Sequence, residues 1–285
     1  MTTYSREETL LQVKDISLSF DGRPILSDIH FNIDNITRPG VQQGQVVSLI
    51  GRSGIGKTQL FRILSGLQKP DTGSIMIRQT VNVARPSKNG YQWEPVDPGS
   101  YRPVHAGDMG VIFQNYYQFG WRTVWQSLKL AARQNKTLAG REEEAILDLA
   151  ARFDISNVLQ AYPKQLSGGE QQRVSIIQQL LKGSDFLLLD EPFSGLDVCV
   201  LDKVVNLLLQ VSLSHELKTL IIVSHDIETT VAISDTVFIL GKHPDGGGST
   251  IVREIDLIQR ELAWEKDVRE KKVFGETIRE IKGCL

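Results

Sequence analysis

A glycine-rich run between two apolar segments constrains this chain more than any other feature. The run is Gly51-Arg52-Ser53-Gly54-Ile55-Gly56-Lys57-Thr58, which fits the pattern G-x-x-x-x-G-K-[ST]. It follows a buried-strand pattern at 46–50 and precedes a helical pattern at 59–67. The backbone N–H groups of such a loop converge on an anion at the start of a helix. The sequence therefore predicts a phosphate-binding loop, with Lys57 at the β- and γ-phosphates and Thr58 as a Mg²⁺ ligand.

A second apolar segment ends in two carboxylates. Residues 186–189 read Phe-Leu-Leu-Leu, and Asp190 and Glu191 follow directly. A buried strand here would deliver both carboxylates to its exposed end. Asp190 would then hold Mg²⁺ through water, and Glu191 would accept a proton from the attacking water. Two adjacent carboxylates can also simply cap the next helix, but the phosphate-binding loop favours the catalytic interpretation.

Residues 166–173 form a third motif, Leu-Ser-Gly-Gly-Glu-Gln-Gln-Arg. Ser167 and Glu170 have the spacing of a capping box, which would start a helix that continues through Leu181. Capping and function are compatible, because an open helix N-terminus made of Ser-Gly-Gly binds anions well.

The order of these motifs resembles that of the ABC ATPase family, the nucleotide-driven subunits of ABC transporters, over residues 10–240. The resemblance implies an α/β fold of the P-loop NTPase (RecA-like) type. Its parallel-sheet core would carry an antiparallel β subdomain and a helical signature subdomain. It further implies an ABC ATP-binding domain over 9–242, with the helical subdomain at about 115–172 and a C-terminal helical extension over 243–285.

The same resemblance assigns roles to further residues. It implies that Gln114 senses Mg²⁺ and the attacking water, and that His225 contacts the γ-phosphate. Ser167 and Gly169 would contact the γ-phosphate held by a second copy of the domain. The implied ATP-binding set is Phe20, Gly51, Arg52, Ser53, Gly54, Ile55, Gly56, Lys57, Thr58, Gln59, Ser167, Gly168, Gly169 and Asp197. The implied catalytic set is Glu191, His225, Gln114 and Lys57, and the implied metal ligands are Thr58, Gln114 and Asp190.

Three of these assignments have plainer alternatives. Phe20 would lie under the adenine, but a phenylalanine more often belongs to a core. Asp197 lies in a Ser-Gly-Leu-Asp run that resembles the loop joining the two ATP sites, but the run is also an ordinary turn. A single histidine such as His225 is often structural, although its place just past an apolar strand favours the phosphate contact.

Bulk composition excludes some classes of function. The net charge of -2 argues against a nucleic-acid binder, which needs a basic surface. Cys199 and Cys284 have no metal-binding spacing and fit a reducing, cytoplasmic setting. We find no secretion signal, and no apolar stretch approaches the roughly 20 residues that span a bilayer. The chain is therefore expected at the inner face of the cell membrane, held there by partners.

The most concrete clue to those partners is an aromatic segment at 116–125. It lies where family members contact the coupling helix of a permease, although single aromatics here could also pack inside the helical subdomain. Its Gly-Trp-Arg-Thr-Val run is similar to the sequence at this place in ATPases of nitrate, sulfonate and taurine importers. We therefore predict an importer ATPase that binds ATP and Mg²⁺, forms a homodimer, and works with permease subunits and an extracytoplasmic solute-binding protein.

Two other functions are weighed against this prediction. A soluble ABC ATPase without a permease could act in cofactor assembly or macromolecular remodelling. A nucleotide-binding scaffold without turnover is disfavoured by the intact Glu191 and His225.

Two segments of the chain lie outside the motifs described above. The polar stretch at 78–108 is expected to be a surface loop or an added hairpin. In the tail, helical spacing predicts two amphipathic helices, one over 255–262 and one over 274–285. These helices would either pack on the domain itself or make a dimer or regulatory contact.

Overall fold

A ten-stranded mixed sheet organises the chain in the computed structural model, which describes residues 4–38, 44–79, 83–87, 90–94, 99–194, 205–206, 219–263, 265 and 267–285. The strands are β1 (Ser5–Phe20), β2 (Arg23–Thr37), β3 (Gln45–Gly51), β4 (Thr72–Arg78), β5 (Val83–Ser87), β6 (Gly90–Glu94), β7 (Tyr101–Pro103), β8 (Gly110–Ile112), β9 (Phe186–Asp190), β10 (Thr219–Ser224), β11 (Thr236–Lys242) and β12 (Ser249–Asp256). The helices are α1 (Lys57–Leu64), α2 (Val124–Ala132), α3 (Glu142–Arg152), α4 (Gly168–Lys182), α5 (Ile227–Ile233) and α6 (Lys272–Cys284). The sequence also predicts a helix at about 200–213, between the apolar segments at 186–189 and 220–223, and this segment lies outside the described residues except for 205–206, which are helical.

The sheet has a parallel half and an antiparallel half, as predicted. Its strand order is β7-β4-β1-β2-β12-β11-β3-β10-β9-β8. Strands β11, β3, β10, β9 and β8 are parallel neighbours, whereas β1 pairs antiparallel with both β2 and β4. Every residue of β3 and β10 is buried. This is expected of central parallel strands that are covered on both faces.

Alternate residues of the central strands face two different cores. Leu220 and Ile222 of β10 pack in the core formed with α2, α3 and α4. Ile221 and Val223 pack on the other face, in the core that contains Leu60 and Leu64 of α1. Apolar residues over 123–160 have helical spacing, which predicts helices there, and the structure forms α2 and α3 within this range. Thr123 starts α2 through a capping box with Gln126.

The polar stretch at 78–108 contains an added hairpin, one of the two structures expected. Strands β5 and β6 pair with each other, and β7 then returns to pair with β4. The return is anchored to the main sheet by Tyr101, whose hydroxyl donates to the Thr9 carbonyl at 2.7 Å.

The tail corrects one prediction. No helix forms over 255–262, because Ile255 belongs to β12, which pairs antiparallel with β11, and turns follow. The second predicted helix is α6, which buries Phe274, Ile278 and Ile281 in one core with Val231 of α5. The tail therefore packs on the domain itself. The boundary expected at 242–243 stays a prediction.

A buried ion pair ties the chain together at the amino end of β3. Asp235 has no solvent exposure, and its carboxylate both pairs with Arg38 and accepts the Val46 N–H at 2.7 Å. The Arg38 side chain is itself buried, which lowers its pKa to about 10. Such a pair is costly to break, because removing one partner leaves a buried charge with weaker compensation.

We expect Asp235→Asn to lower the free energy of unfolding by about 3 kcal/mol, because the amide still accepts the Val46 N–H but no longer neutralises Arg38. Urea denaturation would measure the loss. The double variant Arg38→Met/Asp235→Asn should recover most of it, since no buried charge is then left. A double variant no more stable than Asp235→Asn alone would show that charge is not the cause.

Candidate functional site

The phosphate-binding loop is shaped by glycines at the end of β3. Gly54 and Gly56 have φ of 79° and 107°, a left-handed backbone that favours glycine. A Cβ at Gly56 would lie 3.0 Å from Leu26 Cδ2, and one at Gly51 would lie 2.8 Å from Ile55 Cγ2. A side chain at either position would press on its neighbours, so both positions favour glycine. Helix α1 begins within the run, at Lys57.

Lys57 is held inside this loop. Only 8% of its side chain is exposed, and Nζ donates to the carbonyls of Gly51 at 2.9 Å and Arg52 at 3.1 Å. The same atom lies 3.5 Å from Oε1 of Glu191. The lysine thus connects the phosphate-binding loop to the carboxylates at the end of β9. Thr58 is exposed beside it.

Asp190 is the last residue of β9 and is partly buried there. The pKa of Asp190 rises from 3.8 to about 6, because burial and then the charge of Glu191 raise it by more than Lys57 lowers it. A carboxylate in this position gains from any cation that enters the site. Its environment fits the metal-binding role predicted for it.

Glu191 has a left-handed backbone with φ of 49°. This conformation costs a non-glycine residue of order 1 kcal/mol, and such residues cluster at functional sites. Its Oε2 lies 2.7 Å from His225 Nδ1 and accepts the His225 backbone N–H at 3.3 Å. The side chain of His225 is 57% exposed, so it is open to a ligand.

Strand register explains why Glu191 and His225 meet. In the parallel pair of β9 and β10, Asp190 stands opposite Val223. The residues that follow each strand therefore emerge side by side, and the Glu191 N–H donates to the Val223 carbonyl at 2.8 Å. Of the predicted catalytic residues, the structure thus brings Lys57, Glu191 and His225 together.

Gln114 follows β8 at the far side of this edge. Its side-chain Nε2 donates to Ser194 Oγ over 3.4 Å, and the Ser194 N–H donates to the Glu191 carbonyl. The predicted sensor residue therefore lies against the loop that carries Glu191, and its side chain is exposed.

The start of α4 has the predicted capping box. Ser167 Oγ accepts the Glu170 N–H at 3.3 Å, and Glu170 accepts the Ser167 N–H at 2.8 Å. The Ser167 hydroxyl also donates to the Glu170 carboxylate at 2.7 Å, and this bond, followed by that from the Ser167 N–H, lowers the pKa of Glu170. Ser167 and Gly168 are exposed. Among the hydrogen bonds of the described residues, none joins Ser167 to the phosphate-binding loop of the same chain.

Sequence reasoning missed two residues that contact this site. The buried Gln172 of α4 donates from Nε2 to the Pro192 carbonyl at 3.1 Å, which ties the helix to the loop after Glu191. Ser224 Oγ lies 3.3 Å from Glu191 Oε2. Gln172 belongs to the motif at 166–173 and Ser224 directly precedes His225, but a side chain that contacts another motif leaves no signal in spacing.

Phe20 and Asp197 are two further residues of the predicted ATP-binding set. Phe20, at the end of β1, is 46% exposed, as a platform for a base would be and a core residue would not. Asp197 lies outside the described residues.

The aromatic segment forms an exposed surface next to α2. Trp121 is 74% exposed, its ring centroid lies 5.3 Å from that of Phe119, and Arg122 lies 6.0 Å from the Phe119 ring. A groove of about 480 Å³ runs along the same face. It is lined by Trp121, Arg122, Trp125, Gln126, Lys129, Leu130 and Arg133.

Comparison with known proteins decides the family. The family model described as ABC transporter matches residues 36–194, which is more than half of the chain. The chain belongs to the ABC transporter family. Members of this family bind and hydrolyse ATP, so the predicted family and ATPase activity are confirmed.

Three relatives are similar to this ABC ATPase over most of its length. The uncharacterized ABC transporter ATP-binding protein YtlC of Bacillus subtilis is 31% identical over 236 residues, 83% of this chain and 78% of that protein. The aliphatic sulfonates import ATP-binding protein SsuB 1 of Pseudomonas savastanoi is 31% identical over 83% of each chain. The spermidine/putrescine import ATP-binding protein PotA of Legionella pneumophila is 31% identical, and this chain spans 56% of its length.

Solved structures confirm the α/β fold. CbiO1 from Clostridium perfringens, part of the ABC transporter complex CbiONQ, aligns with a TM-score of 0.67 over 98% of this chain and 96% of its own, at 23% identity. None of the helices in the described ranges is long and apolar enough to cross a membrane.

We expect the raised pKa of Asp190 to make stability depend on pH. The folded chain holds this proton more tightly than the unfolded chain. The stabilising contribution is therefore present below pH 3.8 and is lost as the pH rises through about 6. Melting temperatures of the nucleotide-free protein in EDTA should fall more between about pH 5 and about pH 7 for the wild type than for Asp190→Asn. Asp148→Asn, which removes an exposed carboxylate of α3, is the matched control and should behave like the wild type.

Proposed function

We propose that this ABC ATPase is the energising subunit of an importer, and that Glu191 is the general base of its ATP hydrolysis. The observation that carries the proposal is the cluster of Lys57, Glu191 and His225 beside the phosphate-binding loop. It combines a phosphate-binding cation, a carboxylate base and a group that can reach the γ-phosphate. Phosphoryl transfer needs little more than such positioning and charge stabilisation.

Each group has one task in this proposal. The backbone N–H groups of the loop and Lys57 hold the phosphates. Glu191 accepts the proton of the attacking water, and His225 donates to the γ-phosphate and so aligns it. Phe20 stacks on the adenine, which gives affinity without selecting a particular base. Lys57 leaves the carbonyls of Gly51 and Arg52 when phosphate oxygens replace them.

The residues present fit a Mg²⁺ ion. Thr58, Gln114 and Asp190 offer a hydroxyl, an amide carbonyl and a carboxylate, which are the hard oxygen ligands that this ion prefers. The raised pKa of Asp190 shows that its charge is poorly compensated in the chain alone. When bound, the metal would neutralise charge that develops on the phosphates.

We further propose that the active unit is a homodimer. Ser167, Gly168 and Gly169 start a helix whose exposed N-terminus is free to bind an anion. Among the described residues, the hydrogen bonds of Ser167 go to Glu170 and none goes to the phosphate-binding loop of its own chain, which supports a role at the γ-phosphate of a second copy. Closure of the pair around two ATP molecules would then do the mechanical work, because ATP binds the closed state best. Asp197 is proposed to communicate between the two sites.

Integral membrane permease subunits are the proposed receivers of that work, at the inner face of the cell membrane. The groove beside Trp121 supports this, because exposed aromatic and arginine side chains are typical anchors of protein interfaces. Relatives named as importers of sulfonates and of polyamines are equally similar to this chain. These names support import and leave the solute open. An extracytoplasmic solute-binding protein is part of the same proposal.

Replacing Glu191 with Gln tests the base. The amide keeps the shape of the side chain but cannot accept a proton, so we expect ATP hydrolysis to fall about 10²- to 10⁴-fold while ATP binding persists. ATP should then trap a dimer, visible by light scattering. Phosphate release measures the rate. Glu228→Gln, which removes an exposed carboxylate of α5, should hydrolyse ATP normally. Wild-type turnover by Glu191→Gln would refute the assignment.

Replacing Trp121 with Ala tests the permease surface. We expect the variant to keep its basal ATPase activity but to lose about 2 kcal/mol of its binding free energy for the permease, because aromatic anchors contribute most of the binding energy of interfaces. Tagged variants would be purified from detergent-solubilised membranes, and the recovery of integral membrane subunits would be compared. Leu147→Ala removes an exposed apolar side chain of α3 outside the groove and is the control. Equal recovery with both variants would place the permease elsewhere.

A further inference from the structure

The hydrogen-bond partners of Ser224 determine the direction in which its hydroxyl donates. Ser224 is the last residue of β10 and has no solvent exposure. Its Oγ accepts the backbone N–H of Asp226 at 3.0 Å. An oxygen that accepts on this side retains one proton to donate. The carboxylate oxygen Oε2 of Glu191 lies 3.3 Å away and can only accept when ionised.

From this geometry we propose that Ser224 is a positioning residue for Glu191, an inference that rests on the role proposed for that carboxylate. Oε2 is contacted by Ser224 Oγ, the His225 backbone N–H and His225 Nδ1. Oε1 faces Lys57 at 3.5 Å. The two oxygens of one carboxylate therefore have different partners.

These partners differ in what they must do during hydrolysis. The side chains of Lys57 and His225 contact the phosphates when ATP is bound. Ser224 Oγ, at the end of β10, and the backbone N–H of His225, directly after it, keep their hydrogen bonds to Oε2. Ser224 thus keeps the carboxylate anchored through one oxygen while the other is free to accept the proton of the water.

The backbone makes this anchor necessary. The left-handed φ of 49° at Glu191 turns the chain sharply after β9, and the Glu191 N–H is held by the Val223 carbonyl. These features place Cα but leave the side-chain torsions free. A donor from the neighbouring strand restricts those torsions without adding a charge that would compete with phosphate.

Steady-state ATPase assays of Ser224→Ala test the inference. We expect kcat to fall about tenfold, the usual scale for a hydrogen bond to a charged group, while KM for ATP stays within about twofold. Ser48→Ala is the matched control, because Ser48 is also a fully buried strand serine and its Oγ lies 2.6 Å from that of Ser234. It should lower the melting temperature similarly and leave kcat unchanged. If both variants have the same kcat, Ser224 acts only through stability and the inference fails.

A double-mutant cycle separates this inference from the role of Glu191. In a Glu191→Gln background, Ser224→Ala should cause no further loss in single-turnover hydrolysis of radiolabelled ATP, because the base it positions is gone. A further tenfold loss there would show that Ser224 acts independently of Glu191 and would overturn the inference. Full activity of Glu191→Gln alone would instead refute the base assignment. An inactive Glu191→Gln beside a fully active Ser224→Ala would overturn only the positioning role.

Discussion

The parallel pairing of β3, β10 and β9 is the constraint on which the whole site depends. In a parallel sheet all carboxyl ends lie at one edge, so the loops that follow these strands meet there. One register places Gln45 opposite Thr219 and another places Thr219 opposite Phe186. A slip of one residue would reverse the faces of a strand and separate Glu191 from His225. Two apolar cores hold this register, since neighbouring residues of β10 belong to opposite sides.

The tail and the buried ion pair stabilise the segment that follows His225. Helix α6 packs on α5, which begins two residues after His225, and both bury side chains in one core with Ile50 of β3. Asp235 lies two residues after the end of α5 and connects this segment to β3 through the Val46 N–H. The segment around His225 is therefore held in place by β3, by α5 with Asp235, and by α6.

Sequence patterns predicted the parts of this structure that local chemistry determines. The phosphate-binding loop, the acidic pair and the capping box at Ser167 follow from spacing, and the structure has each of them where expected. Ile255 was misread as helical, because apolar residues three and four apart also occur where a strand passes into turns. Ser224 and Gln172 could not be found, because their partners lie more than ten residues away and are chosen by the register of the sheet.

Charge explains why a site of this kind should depend on a metal. Asp190 and Glu191 are adjacent carboxylates, and Lys57 is the buried cation placed between them and the loop. Adding the phosphates of ATP to this arrangement brings more negative charge than one lysine can balance, and burial weakens the screening by water. Burial, followed by the charge of Glu191, already raises the pKa of Asp190 in the chain alone. A divalent cation that binds Asp190 and phosphate together would weaken the repulsion between the two carboxylates and the repulsion between them and the phosphates. The proposed Mg²⁺ would therefore be needed for ATP binding as well as for ATP hydrolysis.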